Sequence, residues 1–401
     1  MTNDQKNLIN STVPILKSNG IDLTKHFYSR MFMHNPELKN VFNMGNQASG
    51  KQQNALAGAV LAYAEHIENP EVLIDVLKSI GNKHVSLNIT PEQYDIVGLH
   101  LIASIKEVLG ETADDNLIEA WNEAYNELAQ IMISIENDMY QSTMNKTGGW
   151  KGWRKFVITD IVEESSEIKS FYLQPKDQKA IADYFPGQYI SIKIFVPTLA
   201  HEQTRQYSLS SAYTEKQYRI SVKREVSNDR LFEGIVSNEM HRKKTGDEVW
   251  VTAPSGVFYE EFIIQRPRIF ISGGVGVTPL LSMLETNKNN LEKNNVVWLH
   301  SCRNEKVHAF KERINHLSDE NSWLTTHIFY ENDEETTDKN VKKGRINLHE
   351  MKDDVLLENA KYYICGPDAF IKVQYNSLLE LGIPKEDILY EEFGPQLLNF
   401  N

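Results

Sequence analysis

The sequence predicts a multidomain protein: an all-α domain first, a small antiparallel β-barrel second, and an α/β domain with a parallel sheet last. Three observations predict it. Residues 1 to about 148 carry helical periodicity and helix-start signals, with no strand pattern. Gly148-Gly149-Trp150-Lys151-Gly152-Trp153 then breaks the helical pattern, and short strand-like runs follow without a long helix between them. From about residue 263, buried-strand runs alternate with helical segments, the first of them entering a Gly-rich loop. The expected domains are therefore 1–148, 149–262 and 263–401.

Composition sets the outer bounds. A chain of 401 residues is too long for one compact core and favours two or three. Its 41% hydrophobic and 24% charged residues are ordinary for a globular protein. A net charge of -13 argues against nucleic acid, which needs a basic surface, and against anionic membranes. No run approaches the ~18 apolar residues of a membrane span, and no apolar signal region follows Met1, so the expectation is a cytoplasmic protein with no obligatory membrane partner. A monomer is expected, although the sequence itself does not report oligomeric state. Cys302 and Cys365 are the only cysteines, too few for an Fe–S cluster or a zinc ribbon.

In the helical domain, Thr90-Pro91-Glu92-Gln93 reads as a capping box with Pro at the first helical position. Before it, Leu73, Val76, Leu77, Ile80 and His84 share one apolar stripe. A histidine on such a stripe is ordinarily a packed core residue. Its neighbours bear on the choice: Tyr28 among Phe27, Met31 and Phe32, a break at Asn35-Pro36-Glu37, then Phe42, then Gln52 and Leu56 on a further helix.

In the barrel, strands are expected at Phe156 to Ile161, Ile168 to Leu173, Tyr189 to Val196, Gln206 to Ser210, Tyr218 to Val222 and Glu248 to Val251. The stretch Arg205-Gln206-Tyr207-Ser208-Leu209-Ser210 carries the chemistry. Arg205 offers a planar fork that matches a pyrophosphate, and Tyr207 offers a ring to cover a flat heterocycle with a hydroxyl at its edge. Such a set suits a flavin nucleotide. Pro186-Gly187-Gln188-Tyr189 precedes it as a turn into a strand. Gly273-Gly274-Val275-Gly276-Val277-Thr278-Pro279 follows as a phosphate loop, with Thr278 and Pro279 fitting an N-cap and first helical residue. In this order the motifs resemble the ferredoxin reductase family, whose members bind a flavin through Arg-x-Tyr-Ser and a nicotinamide through a later Gly-rich loop.

The last domain begins with the strand Arg268-Ile269-Phe270-Ile271-Ser272 and continues with strands at Val296 to His300, Thr326 to Tyr330 and Tyr362 to Ile364. Cys365-Gly366-Pro367 ends a strand at the edge where a nicotinamide would approach; as a packing residue Cys365 is about equally well explained. Arg303 and Glu305 both follow the second strand, one suited to NADPH and the other to NADH, and the sequence leaves NADH or NADPH open.

The helical segment, with Tyr28, Phe42, Gln52 and His84 in this order, resembles a globin. Joined to a ferredoxin-reductase-like module, it resembles the flavohemoglobins over essentially the whole chain. Local stretches carry the likeness: His26-Phe27-Tyr28, Asn35-Pro36-Glu37-Leu38, Phe42-Asn43-Met44, Lys83-His84, Pro91-Glu92-Gln93-Tyr94 and Glu391-Glu392-Phe393-Gly394-Pro395.

The resemblance implies haem b, FAD and NADH or NADPH as cofactors. It makes His84 the iron ligand, with Glu136 and Tyr94 as partners of its second nitrogen and Lys83 as an adjacent cation, although a solvated lysine explains Lys83 as well. It sets Tyr28 and Gln52 to hydrogen-bond bound dioxygen, with Leu56 as an apolar wall and Phe42 packed on the haem; Gln53 follows directly, so Gln52 rests on the motif register. Tyr189, Arg205, Gln206, Tyr207 and Ser208 become flavin contacts, and Gly234 to His241 a second flavin-phosphate segment, with a similar Val226-Ser227-Asn228 upstream. Gly273, Gly274, Val275, Gly276, Val277 and Thr278 receive the nicotinamide cofactor. Glu392, Phe393, Gly394 and Pro395 contact cofactor, Phe393 near the flavin face, and Glu391 is a carboxylate between the redox centres.

A hydride arrives as an electron pair and haem iron accepts one electron at a time, so the flavin is the adapter. The implied activity is nitric oxide dioxygenase, with dioxygen, nitric oxide and NAD(P)H as partners and nitrate as product. The rival is an oxygen-binding or sensing globin whose reductase keeps the iron ferrous; a further rival is a diaphorase in which the globin is incidental.

Overall fold

A computed structural model of the chain describes residues 1–225, 234–260, 266–291, 295–332 and 341–394. Its described residues fall into two compact units, one formed by Met1–Trp153 with Lys193–Arg205, the other by Arg154–Ile192 with the residues from Gln206 onward.

The first unit is built on α1 Asn3–Ser11, α2 Val13–His34, α3 Met44–Ala48, α4 Lys51–Glu65, α5 Ile74–Leu87, α6 Pro91–Leu109 and α7 Asp115–Met144. Side-chain caps start several of them. Thr2 Oγ1 accepts from Gln5 N at 3.2 Å, Asp114 Oδ1 accepts from Leu117 N at 2.8 Å, and Thr90 N donates to Gln93 Oε1 at 3.0 Å in the expected box at Pro91. Helix α5 ends at Asn88, whose φ of 56° is the left-handed conformation that closes a helix. The core gathers Ile9, Leu23, Phe27, Met31, Tyr63, Ile105, Ala120 and Trp121 from α1, α2, α4, α6 and α7. At Gly98 an added Cβ would lie 2.4 Å from the Tyr125 ring, so only glycine lets α6 and α7 come this close.

Helix α5 stands apart from that core and packs on α7, where Gly81 faces Ile135 and Met139. The apolar stripe predicted for it is only partly buried: Leu77 is enclosed, whereas Val76 is 53% exposed. Period alone placed Val76 with Leu77, but one neighbouring helix covers only one side.

The second region opens with β1 Arg154–Glu163, β2 Ile168–Pro175, β3 Tyr189–Val196, β4 His201–Ser208 and β5 Tyr218–Lys223, continues with α8 Ile235–Arg242, and ends with β6 Glu248–Val251. The sheet order is β4-β3-β6-β1-β2-β5, with antiparallel pairs β1/β2, β1/β6 and β2/β5. Just past β4, Leu209 bridges Ile220 on β5, bringing the two edge strands together. Strand β4 begins at His201, five residues before the predicted start, and stops at Ser208; its polar first half hides the alternation.

The remaining elements are β7 Arg268–Gly273, α9 Val277–Leu291, β8 Val296–Cys302, α10 Lys311–Glu320, β9 Leu324–Tyr330, β10 Val341–Lys343, α11 Lys352–Val355, β11 Lys361–Gly366, α12 Asp368–Glu380 and β12 Ile388–Glu392. They form a parallel sheet in the order β10-β9-β8-β7-β11-β12. Apolar clusters cover both faces, so β7 and β8 read as continuous buried runs rather than alternating ones. Strands β10 and β12 were not predicted: one has three residues and the other ends in two glutamates.

Candidate functional site

Helices α5, α6 and α7 bring His84, Tyr94 and Glu136 together. Nδ1 of His84 lies 2.8 Å from Glu136 Oε1 and 2.9 Å from the Tyr94 hydroxyl, which itself donates to the same carboxylate oxygen. Burial and the Glu136 charge push the Tyr94 phenol far up, so it stays a protonated donor. With Nδ1–H donating to a carboxylate, Nε2 of His84 keeps its lone pair for a metal. Glu136 is 3% exposed. Two residues missed in the sequence support this group: Tyr125 donates to Tyr94 O at 2.5 Å, and Tyr140 donates to Ile89 O at 3.0 Å. Lys83 is half-buried beside His84, and its carbonyl accepts from Ser86 Oγ at 2.8 Å.

A second cluster surrounds Tyr28, which is 4% exposed. Its ring meets Phe42 edge-on with centroids 5.8 Å apart and lies parallel to Phe32 at 6.0 Å. Burial drives the Tyr28 phenol well above its ordinary pKa, with the nearby Gln52 amide opposing it, so the hydroxyl remains a neutral donor. Gln53 turns away, donating from Nε2 to Gln47 O at 3.2 Å and Gln47 Oε1 at 3.0 Å. Of the two adjacent amides, Gln52 is the one near the Tyr28 hydroxyl. Gln47, which the sequence did not single out, also approaches that hydroxyl, while its buried Nε2 has no acceptor in full hydrogen-bonding geometry. Phe42 and Leu56 remain only partly buried against the helical core. A single imidazole with fixed tautomer, a tyrosine–glutamine donor pair, a buried amide lacking an acceptor and unfilled apolar contacts on Phe42 and Leu56 fit a haem.

In the barrel, the turn before β3 needs glycine at Gly187, where φ is 106° and an added Cβ would sit 2.4 Å from Phe258 O. Gln188 pins this turn by accepting from Phe185 N at 3.0 Å and donating to Gly256 O at 3.1 Å. Tyr189 is buried, its N–H donating to Ser255 O at 2.9 Å. Arg205, Gln206 and Tyr207 are half-buried, and Ser208 is enclosed. Arg205 Nη1 donates to Thr204 O at 2.7 Å. The segment from Gly234 opens α8, with Ser237 Oγ donating to Gly234 O at 2.9 Å; the Val226-Ser227-Asn228 copy lies outside the described residues.

The phosphate loop departs from the prediction at its end. A 3₁₀ turn spans Gly274–Gly276 and α9 starts at Val277, so Thr278 is inside the helix rather than its N-cap. The Thr278 hydroxyl donates back to Val275 O at 3.0 Å and is 2% exposed, satisfied by its own loop. Gly274 takes φ 54°, and a Cβ on Gly276 would lie 2.1 Å from Cys365 O. The loop therefore lies directly on the end of β11. Cys365 is fully enclosed and faces Glu391 in the β11/β12 register; burial foremost, then that carboxylate, pushes its thiol up and keeps it neutral. Glu391 and Glu392 are buried, Phe393 is 41% exposed and Gly394 has φ 142°, while Pro395 lies outside the described residues. Arg303 pairs with Glu167, and Glu305 Oε1 with Lys311 Nζ at 2.6 Å, so protein partners already hold both candidate ribose-site charges.

Three family models match in succession: Globin over residues 25–132, Oxidoreductase FAD-binding domain over 155–259 and Oxidoreductase NAD-binding domain over 270–375. The class so defined is a haem globin carrying its own flavin- and nicotinamide-binding oxidoreductase domains in one chain. A Flavohemoprotein from Rhizobium meliloti is 45% identical, with 99% of each chain covered, and one from Chromobacterium violaceum is 46% identical, with 98% of each covered. The crystal structure of a flavohemoglobin from Malassezia yamatoensis, with bound FAD and heme, superposes with a TM-score of 0.86 at 26% identity, covering 98% of this chain and 99% of that one. The FAD/NAD-binding domain of a nitric oxide dioxygenase from Vibrio cholerae matches 60% of this chain and 99% of its own, with TM-score 0.55 and 36% identity. The chain belongs to the flavohemoprotein family.

Among the described residues, no helix is long and apolar enough to cross a membrane.

Proposed function

We propose that this protein is an NAD(P)H-dependent nitric oxide dioxygenase that detoxifies nitric oxide as nitrate in the cytoplasm, acting as a monomer. When bound, the cofactors supply the electron path, from NAD(P)H through FAD to haem iron. Forming nitrate from one nitric oxide and one dioxygen takes up one electron, so each nicotinamide serves two turnovers.

The residues have separate tasks. With haem bound, His84 Nε2 would be the iron ligand, while Glu136 and Tyr94 hold its ring and would make it a strongly donating ligand. Tyr28 and Gln52 would offer hydrogen-bond donors to bound dioxygen, Leu56 and Phe42 apolar contact, and Lys83 a nearby cation. Tyr189, Arg205, Gln206, Tyr207 and Ser208, with Glu392 to Pro395, hold FAD. Gly273 to Thr278 present backbone N–H groups to the nicotinamide cofactor, with the Thr278 hydroxyl turned inward. Glu391 places a carboxyl group on β12, opposite Cys365. The division at 148/149 and 262/263 belongs to the same reading and is supported by the helix-to-strand change after Met144 and by the separate sheets.

The observation that carries this reading is the carboxylate of Glu136 at 2.8 Å from His84 Nδ1. A charged acceptor on the ligating imidazole favours oxidised iron, which suits turnover better than reversible oxygen storage. The test is nitric oxide consumption and nitrate formation with NAD(P)H in air. His84→Ala should abolish both while NAD(P)H still reduces the flavin. Consumption by the unaltered protein no faster than that of a reductase-free globin would overturn the reading in favour of an oxygen carrier or sensor.

A further inference from the structure

The β3–β4 hairpin packs as part of the helical unit, because Lys193–Arg205 cluster with Met1–Trp153. Gln203 makes the buried part of this contact. Gln203 is fully buried, donates from Nε2 to Lys39 O at 2.8 Å, and accepts from Met44 N at Oε1 at 3.3 Å. Beside it, Glu202 N donates to Asn40 Oδ1 at 2.9 Å. These bonds bracket the turn of residues 40 to 43, which carries Phe42. Phe42 in turn abuts Tyr28 and Phe32, with centroids 5.8 and 5.5 Å away.

Two residues further along β4 is Arg205. Strand alternation puts it on the same face as Gln203, and a Cβ added to Gly45 would come within 3.4 Å of its Nη2. The strand whose next residues form the flavin motif is thus bonded to the turn that shapes one wall of the haem pocket. A buried amide satisfied at both ends has one good arrangement and a costly broken one, since each unpaired group would lose its bond without gaining water. The amide thereby ties β4 to the turn of residues 40 to 43.

We propose that Gln203 is a positioning residue that couples flavin occupancy of β4 to haem retention: FAD holding Arg205 steadies β4, Gln203 transmits this to the turn of residues 40 to 43, and Phe42 is kept in place. The coupling is independent of what the iron does to its gaseous ligand.

The full-length protein is compared with FAD and after removal of FAD, reading the rate of haem transfer to an excess of haem-free myoglobin. In the native sequence, removing FAD should speed haem loss about fivefold, within the usual range of coupling between sites. Gln203→Ala should lose haem at the faster rate whether or not FAD is present. Gln203→Met, which keeps the volume and removes the hydrogen bonds, should do the same and serves where the alanine variant folds poorly. Lys39→Ala should behave as native, because Gln203 uses only its carbonyl. A fivefold flavin dependence that persists in both Gln203 variants, no dependence in the native protein, or loss of coupling in Lys39→Ala would each overturn the proposal. Nitric oxide plays no part in the assay, so its outcome is separate from that of the dioxygenase reading.

Discussion

Glu136 Oε1 stands 2.8 Å from Nδ1 of His84, and this bond decides which imidazole nitrogen can face a metal. The carboxylate also accepts from the Tyr94 hydroxyl, so its charge is shared by two donors and held in a buried place. Glu136→Gln keeps the shape and an acceptor but removes the charge. The haem midpoint potential should then rise by on the order of 60 mV, the one-electron equivalent of ~1.4 kcal/mol, a typical loss for a hydrogen bond to a charged group. Spectroelectrochemical titration of the loaded protein reads it directly. An unchanged potential would mean that the Glu136 charge does not reach the iron.

The two adjacent amides on α4 should differ in function. Gln52 lies near the Tyr28 hydroxyl, whereas Gln53 bonds Gln47. Tyr28→Phe and Gln52→Leu should each speed dioxygen release by roughly 5- to 150-fold, corresponding to ~1 to 3 kcal/mol per lost bond. Gln53→Leu should leave the release rate within about twofold and lower thermal stability instead, by the ~1 kcal/mol of an ordinary hydrogen bond. Flash photolysis and stopped flow measure the rates. Equal effects at Gln52 and Gln53 would contradict the assignment.

Arg205→Ala should give protein with little FAD, because no other group in Arg205 to Ser208 carries a positive charge for a pyrophosphate; it should still take up haem, and release it at the faster, flavin-free rate. Absorbance of the purified variant, before and after added FAD, reports the ratio. Stoichiometric flavin retained through gel filtration would remove Arg205 from the binding set.

How much was legible differs by element, for physical reasons. The capping box at Thr90 and the run Arg268 to Ser272 were readable because local chemistry dictates them. Val76 shares the apolar stripe yet is 53% exposed, since period tells which residues share a face but not whether anything covers that face. Thr278-Pro279 looked like a helix start, yet the tertiary approach of Gly276 to Cys365 O moves the start back to Val277. The trio His84, Tyr94 and Glu136 emerged only through family resemblance, because three helices far apart in sequence supply it. Gln203 gave no signal at all: a single glutamine in a polar strand acquires meaning only from the carbonyl and amide it meets.

A last prediction concerns the pair His300 and His308 under the parallel sheet, whose rings stack with centroids 4.8 Å apart. His300 Nδ1 is 2.8 Å from Ser272 Oγ, and His308 Nδ1 is 2.9 Å from the Tyr330 hydroxyl. Burial foremost depresses both, with His308 adding to it at His300 and Lys311 adding to it at His308: His300 falls well below its ordinary value, and His308 to about 4. Both are neutral in the folded protein at neutral pH, whereas the unfolded chain takes up protons below about pH 6.5. Stability contributed by the neutral forms is therefore full above about pH 6.5 and falls as pH drops toward the folded value near 4 for His308. Between about pH 6.5 and pH 5 His308 should cost about 1.6 kcal/mol of unfolding free energy, and His300 acts in the same direction. His308→Gln removes one titrating group, so its urea midpoint should fall less steeply over that range than that of the native protein. Parallel pH profiles for the two proteins would show that His308 is already protonated when folded.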